Sequence, residues 1–430
     1  MTGPSSSSIR SNMIDLAVLR DSPNALRDAL RRRHTQIDVD QLIGLDERRR
    51  SVRSEAERVR AEQKLAGKEI SSLEAQARQA AISNAGQLAE SYKRLLTEAD
   101  DLDQEFQELW INVPNMAHPS APDGTTEEDA VEVRRWGTPA EFEFPVRDHQ
   151  ELGESLGIID VERAARLSGS RFAYLKGEAA LLDLGLVRFA MDRLTAEGFT
   201  PVVPPVLVRE EALFGTGFFP TDRDQVYAVE RDNLFLVGTS EVSLAALHLD
   251  EILDGAELPI RYAGFSSCFR REAGTYGKDT RGIFRMHQFD KVEMFSFCHP
   301  ERSWEEHEYM LSIEEQIMQE LELPYRVVNV AAGDLGVSAA KKYDIEVWVP
   351  SQEAFREITS CSNTTDYQAR RLRARFRDET GNRLVHTLNG TVVTSSRSVL
   401  ALIENHQQAD GSVKIPAALR PYVGFDVIAP

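Results

Sequence analysis

The sequence predicts an α+β protein: an N-terminal antiparallel helical hairpin, then an antiparallel-sheet domain flanked by helices. Two observations predict the hairpin. Apolar or small residues recur at Leu45, Val52, Ala56, Val59, Ala66, Ile70, Leu73 and Ala77, with Arg49 and Gln63 interrupting. The rhythm returns at Leu88, Tyr92, Leu95, Ala99, Leu102, Phe106 and Leu109 after a break around Ser83, Asn84 and Gly86. Steps of three and four held this long mark a coiled-coil seam. Joined within residues 68–86, the two helices fold back with arms of about 35–40 Å each.

The third observation is a change of pattern. Pro114, Pro119, Pro122 and Gly124 break the helix. Beyond about residue 130, β-branched runs at 201–208, 225–229, 233–237, 283–297 and 343–349 alternate with helical stretches near 178–197, 301–322 and 397–408. Scattered strands with hairpin spacing suggest an antiparallel sheet covered by helices. Four segments follow: a leader at 1–12 read as disordered, an arm at 13–112, a linker at 113–135 and a catalytic-sized domain at 136–430. No GxGxxG or GxxxxGK[ST] pattern occurs, so neither a Rossmann site nor a P-loop is supported.

Composition narrows the function classes. Charged residues make up 28% of 430 and hydrophobic residues 42%, ordinary for a globular protein. No apolar run of membrane-spanning length occurs, and the Ser-rich start lacks a signal peptide's apolar stretch. The three cysteines, Cys268, Cys298 and Cys361, show no CxxC spacing, which points to a reducing cytoplasm and away from a cysteine zinc site. A net charge of −19 argues against indiscriminate coating of nucleic acid, DNA included. Locally the arm is polarised. Its first helix carries Arg48, Arg49, Arg50, Arg53, Arg58, Arg60, Lys64 and Lys68, its second Glu90, Glu98, Asp100, Asp101, Asp103, Glu105 and Glu108. Two solvated faces attracting each other fit this pattern, and so does a basic helix meeting a phosphate backbone.

The most informative stretch runs from Phe265 to Phe297, two apolar ends around a polar loop at Gly274–Gly282. Read as two strands, it puts Arg270 and Glu272 on one face, and Arg285, His287, Phe289, Lys291 and Glu293 on one face of the second strand. Such a surface is a poor core. Arginine suits phosphate, and Phe289 offers a ring for a base. A solvated edge hairpin is the plainer reading of the same charges.

This stretch strongly resembles motif 2 of the class II aminoacyl-tRNA synthetases at Phe269, Arg270, Glu272, Arg285, Phe289 and Glu293. Motif 1 is matched at Gly198, Phe199, Val202 and Pro205, and motif 3 at Leu388–Gln407 with Arg397. The segments 13–20, 237–242, 268–274, 279–293 and 361–371 look like the bacterial seryl-tRNA synthetases, as does the hairpin, which that family uses to hold the long variable arm of serine tRNA.

The resemblance implies roles. Serine would meet Thr239, Ser240, Glu241, Glu293 and Thr391. ATP would meet Arg270, Arg271, Glu272, Arg285, Phe289, Glu357, Ile358, Thr359, Ser360 and Arg397, with Mg2+ at Glu357 and Ser360. Arg270, Glu272 and Arg397 would be catalytic. Arg271 alternates to the opposite face and is expected to matter little. Without the family, Thr239 and Glu241 read equally as a helix cap and first-turn acid, and Glu357 as an exposed acid at a strand end. The implied reaction is ATP-dependent activation of L-serine and transfer to tRNA by a cytoplasmic homodimer. Val392 and Ser396 stand where many members have glycine, which leaves a specialised paralogue (biosynthetic or inhibitor-resistant) as the alternative.

Overall fold

The computed structural model describes residues 14–70, 73–274 and 281–430. The expected leader at 1–12, the turn at 71–72 and the loop at 275–280 lie outside the described residues. The chain divides into two compact units. One runs to Val113 apart from Arg32–His34, and the other comprises Arg32–His34 and Pro114–Pro430.

The first unit holds α1 (Leu16–Asp21), α2 (Val39–Glu69) and α3 (Ala75–Trp110). Asp38 caps α2 by accepting from the Asp40 and Gln41 amides. The expected seam is present, with Leu45, Ala56, Val59, Ala99, Leu102 and Phe106 buried. Arg49 interrupts the series for a physical reason: its guanidinium lies 4.2 Å from the Phe106 ring centroid and 3.1 Å from Asp103. Two expectations fail. No break occurs at Ser83, Asn84 and Gly86, which sit inside α3. Their helix penalties, each about 0.5–1 kcal/mol, are outweighed by a cooperative helix of 36 residues. Leu73 precedes α3 and is exposed, and Ala77 is exposed as well, so neither extends the seam. Arg53 pairs with Asp103 at 2.6 Å and Arg48 with Glu98 at 3.6 Å, so part of the charge polarity is spent between the helices.

The second unit is built on an eight-stranded sheet of β1 (Val131–Trp136), β2 (Thr200–Val202), β3 (Ile260–Phe269), β4 (Gln288–Cys298), β5 (Tyr325–Asn329), β6 (Lys341–Val349), β7 (Ala354–Asn363) and β8 (His386–Thr394). Their order is β1-β5-β6-β7-β8-β4-β3-β2, antiparallel except where β2 meets β3. The sheet begins inside the segment expected as linker. The run 201–208 divides at Pro204 and Pro205 between two sheets, because proline cannot donate to a ladder. Its second half, Leu207–Val208, pairs with Leu234–Leu236, which also pairs with Ala228–Val229.

Four helices matter for the site: α4 (His149–Ser155), α5 (Glu178–Ala196), α6 (Ser303–Glu320) and α7 (Arg397–Asn405). Leu182, Leu186 and Phe189 of α5, Met310, Ile313 and Ile317 of α6 and Leu400 and Ile403 of α7 share one core with Val292, Met294, Ile345, Val347, Leu388 and Val392 of the sheet. Each such side chain taken fully out of water contributes about 1.5–3 kcal/mol. The core therefore fixes which face of β4 and β8 remains for chemistry.

A buried acid stabilises the root of the hairpin. Asp46 is 2% exposed and lies 2.8 Å from Arg20, 2.7 Å from Arg49 and 2.9 Å from Arg50. Burial pushes its carboxyl up, but Arg20 and Arg49 outweigh that and hold it at about 2. Because the folded value lies below the unfolded one, this contribution is complete above about pH 4 and is lost as pH falls toward 2. Asp46→Ala is expected to cost about 2–3 kcal/mol locally. It will be read as lost amide-exchange protection over Leu42–Arg50 in the whole chain at pH 7, with the difference from the parent shrinking on acidification.

Candidate active site

Strand alternation builds the site's floor. Along β4, Phe289, Lys291 and Glu293 face a cleft, while Val292 and Met294 enter the core. A register shift between Val292 and Glu293 sets Glu293 directly opposite Thr391 on β8. The hairpin limbs are shorter than the sequence suggests. Strand β3 ends at Phe269 and β4 begins at Gln288; one further backbone bond runs from the Arg270 amide to the His287 carbonyl at 2.9 Å, and Glu272 and Arg285 lie beyond the ladder. Strand alternation therefore does not place them. Glu272 adopts a left-handed backbone at φ 49°, and Arg285 reaches its carboxylate at 2.7 Å. His287 turns to the Arg270 carbonyl at 2.8 Å and lines neither cavity described below.

A cleft of about 510 Å³ is lined by Arg270, Glu272, Phe284, Arg285, Phe289, Glu357, Ile358, Ser360 and Arg397, among others. Arg270 is anchored by its Nε donating to the Gly238 carbonyl at 3.1 Å, and its guanidinium lies 5.2 Å from the Phe289 ring centroid. Arg397, first residue of α7, lies 4.8 Å from the Phe284 centroid and donates to the Glu357 carbonyl at 3.0 Å. Arginines beside aromatic faces around a polar floor suit a planar base and its phosphates.

A second cavity of about 930 Å³ shares Arg270, Lys291, Glu357, Ser360 and Thr391 with the first and adds Thr239, Glu241, Glu293 and Asn389. Thr239 donates to Glu293 at 3.1 Å, and Lys291 forms an ion pair with the same carboxylate. Lys291 and Glu293 are both almost fully buried. Glu241 accepts from Gln368 at 2.7 Å and from Asn389 at 3.0 Å. Burial, then the charge of Glu293, pushes the Glu241 carboxyl up to about 7. Glu357 behaves oppositely. Burial alone would raise it, but Lys342 and Arg397 hold it below the usual carboxylate range.

Three predicted residues lie elsewhere. Arg271 stacks 5.7 Å from the Tyr227 centroid, Ser240 is buried behind the cavity wall, and Thr359 turns to Glu314 of α6. Val392 points into the core and Ser396 into the cleft. Phe284, Lys342, Asn389 and Gln368 carried no assigned role in the sequence. Phe284, Asn389 and Gln368 fall inside the motif-bearing segments, whereas nothing marked Lys342. Among the described residues no cluster of three or more His, Cys, Asp or Glu is placed to hold a metal. Glu357 and Ser360 instead offer one carboxylate and one hydroxyl on the shared wall, a sparse oxygen set that suits Mg2+ completed by phosphates and water. All three cysteines are free and buried, and burial pushes the Cys298 thiol up to about 12.

Comparison with known proteins agrees with this geometry. Residues 227–406 match the tRNA synthetase class II core domain (G, H, P, S and T). Residues 13–117 match the Seryl-tRNA synthetase N-terminal domain. A serine–tRNA ligase of Thermobifida fusca is 52% identical over 97% of this chain and 99% of its own. The solved seryl-tRNA synthetase of Pyrococcus horikoshii, complexed with ATP, superposes with a TM-score of 0.91 at 42% identity, covering 97% of this chain and 100% of that one. The cytoplasmic serine–tRNA ligase of Naegleria fowleri, in complex with AMP, gives 0.87 at 31%, covering 97% and 99%.

Gln368 is fully buried, and its amide nitrogen faces two acceptors, Glu241 and the Thr216 carbonyl. Gln368→Ala removes a donor that favours the ionised form of Glu241. The Glu241 titration, followed by carboxyl NMR, is expected to move above 7, with a stability loss of about 1–2 kcal/mol.

Proposed function

The chain belongs to the seryl-tRNA synthetase family, and from that premise we propose how its two joined cavities carry out the ATP-dependent ligation of serine to tRNA. The observation that carries the reading is the shared wall. Arg270, Lys291, Glu357, Ser360 and Thr391 border both the cation-rich cleft and the acid- and hydroxyl-lined pocket, so a nucleotide in one adjoins a small amino acid in the other.

In this reading ATP lies along the first cleft. Phe289 offers a face for adenine, Glu272 lies on the adenine side, and Arg270, Arg285 and Arg397, the last packed on Phe284, meet the phosphates. The ammonium of serine pairs with Glu241. Its hydroxyl reaches Glu293 and Thr391, and alanine, which lacks that hydroxyl, forgoes both hydrogen bonds. The carboxylate of serine attacks the α-phosphorus of ATP in line, forming the seryl-adenylate anhydride as the bond to pyrophosphate breaks. The terminal ribose hydroxyl of tRNA then attacks the seryl carbonyl, and AMP leaves. No side chain serves as a covalent nucleophile. Arg270 and its neighbours act by alignment and by stabilising charge that develops on phosphoryl oxygens. Mg2+ held by Glu357 and Ser360 would supply further charge neutralisation at the phosphates.

The hairpin serves tRNA in this proposal. The exposed cations Arg60 and Lys64 of α2 offer phosphate contacts to the long variable arm. A homodimer through the motif 1 segment is supported by Leu181 (49% exposed), Leu184 (63%) and Val203 (80%) on α5 and just after β2. The free thiols suit a cytoplasmic setting. Among the described residues no helix is long and apolar enough to cross a membrane. A specialised paralogue gains no support: the relatives matched along nearly the whole chain are serine–tRNA ligases, and of the two departures Val392 faces the core while Ser396 alone lines the cleft.

Arg270→Ala is expected to lower serine-dependent ATP–pyrophosphate exchange about a hundred- to thousandfold; exchange near the parent rate would remove Arg270 from the phosphate site. Deleting residues 40–110 should leave adenylate formation intact and cripple transfer to tRNA. Efficient charging by the armless protein would refute the arm's role.

A further inference from the structure

Four consecutive residues outside the three motifs, Asp148 to Glu151 at the start of α4, hold three consecutive residues at the outgoing limb of the motif 2 loop. Arg281 meets Asp148 at 2.9 Å and Glu151 at 2.8 Å. The Gly282 amide donates to Gln150 at 2.9 Å, and the Ile283 amide donates to His149 Nε2 at 3.1 Å. Gly282 is required at this approach: its φ is +72°, and a Cβ there would overlap His149 Nε2.

His149 is 4% exposed and bonds in a second direction. With Nε2 accepting from Ile283, the ring proton sits on Nδ1 and is donated to Glu404 at 2.8 Å. Glu404 belongs to α7 and is fully buried, and its carboxylate also accepts from the backbone amides of His149 and Ser351, each at 3.0 Å. Three donors satisfy this acid without a cation. A side-chain amide at Gln407 further ties α7's end to the chain entering α4, exchanging bonds of 3.0 Å with the Arg147 backbone in both directions.

Both ends of this bridge support residues that line the nucleotide cleft. Ile283 precedes Phe284, and Glu404 lies on the helix that begins with Arg397. The Arg397 guanidinium packs directly on the Phe284 ring, 4.8 Å from its centroid, and both residues line the cleft. We propose that His149, through Ile283 and Glu404, is a positioning residue that sets the Phe284–Arg397 platform for the adenine nucleotide. This rests on the assignment of that cleft to ATP. The serine pocket, built on β4, β8 and the segment 239–241, lies outside the bridge.

The test is the KM for ATP and for serine in pyrophosphate exchange by the full chain. His149→Phe keeps a ring of similar volume and loses both bonds. The KM for ATP is expected to rise roughly tenfold while that for serine stays within about twofold, the split a merely structural loss would not give. Should His149→Phe fail to fold, Gln150→Ala, at a half-buried position, removes the acceptor for Gly282 and should raise the KM for ATP about threefold. Arg397→Ala serves as the reference. If it raises the KM for ATP while the variants that fold keep the parent value, or raise both KM values equally, the proposal is overturned. If Arg397→Ala leaves ATP dependence unchanged, the assignment of the cleft falls, and the proposal with it.

Discussion

One face of strand β4 must be core along its length while the other passes from reaction surface at Phe289–Glu293 to a second core at Phe295 and Phe297, and that constraint organises the site. The strand's odd positions Phe289, Lys291 and Glu293 meet the cavities, while Val292 and Met294 seal the layer beneath α5 and α6. A slip of one residue would exchange the two sets, burying an ion pair among aliphatics and exposing valine and methionine to the ligand. The register shift beside Val292 adjusts the pairing so that Glu293 faces Thr391, and Thr239 reaches the same acid from a separate loop. Thr239, Glu241, Lys291 and Glu293 are thus positioned by backbone pairing or by another side chain before any ligand arrives. That preorganisation is what a reaction without a covalent enzyme nucleophile requires.

The pocket's charges follow from the same arrangement. Two acids, Glu241 and Glu293, stand near one lysine on the floor of the pocket. Lys291 pairs with Glu293, so Glu241 bears the cost of burial and holds its proton to about 7. An incoming ammonium supplies the missing counter-charge. On the neighbouring wall Glu357 already has Arg397 and Lys342 as partners, which keeps it ionised and ready for cationic or phosphate chemistry.

Much of this was legible in the sequence because it depends on periodicity. The seam positions from Leu45 to Leu109 and the alternation from Phe289 to Glu293 are repeats, and repeats survive without coordinates. What was misread depends on where a repeat stops. Serine, asparagine and glycine at 83–86 look like a turn, yet a continuous helix absorbs them. Arg285 and His287 continue the alternation on paper, but the ladder starts only at Gln288. Gln368 and His149 were invisible for a different reason: their partners lie 127 and 134 residues away, and no local pattern encodes such a bond.

The hairpin's packing has a mechanical corollary. Near its root the seam residues Ala56, Val59, Ala99 and Leu102 are sealed, whereas farther out Ala66, Ile70 and Leu88 of the same seam are only half-buried. Less apolar area per turn holds the outer helices together, so the free energy of local opening falls with distance from the root. Among the described residues the arm is therefore graded in stiffness, firmest where its seam is sealed and more compliant where the seam is half-buried.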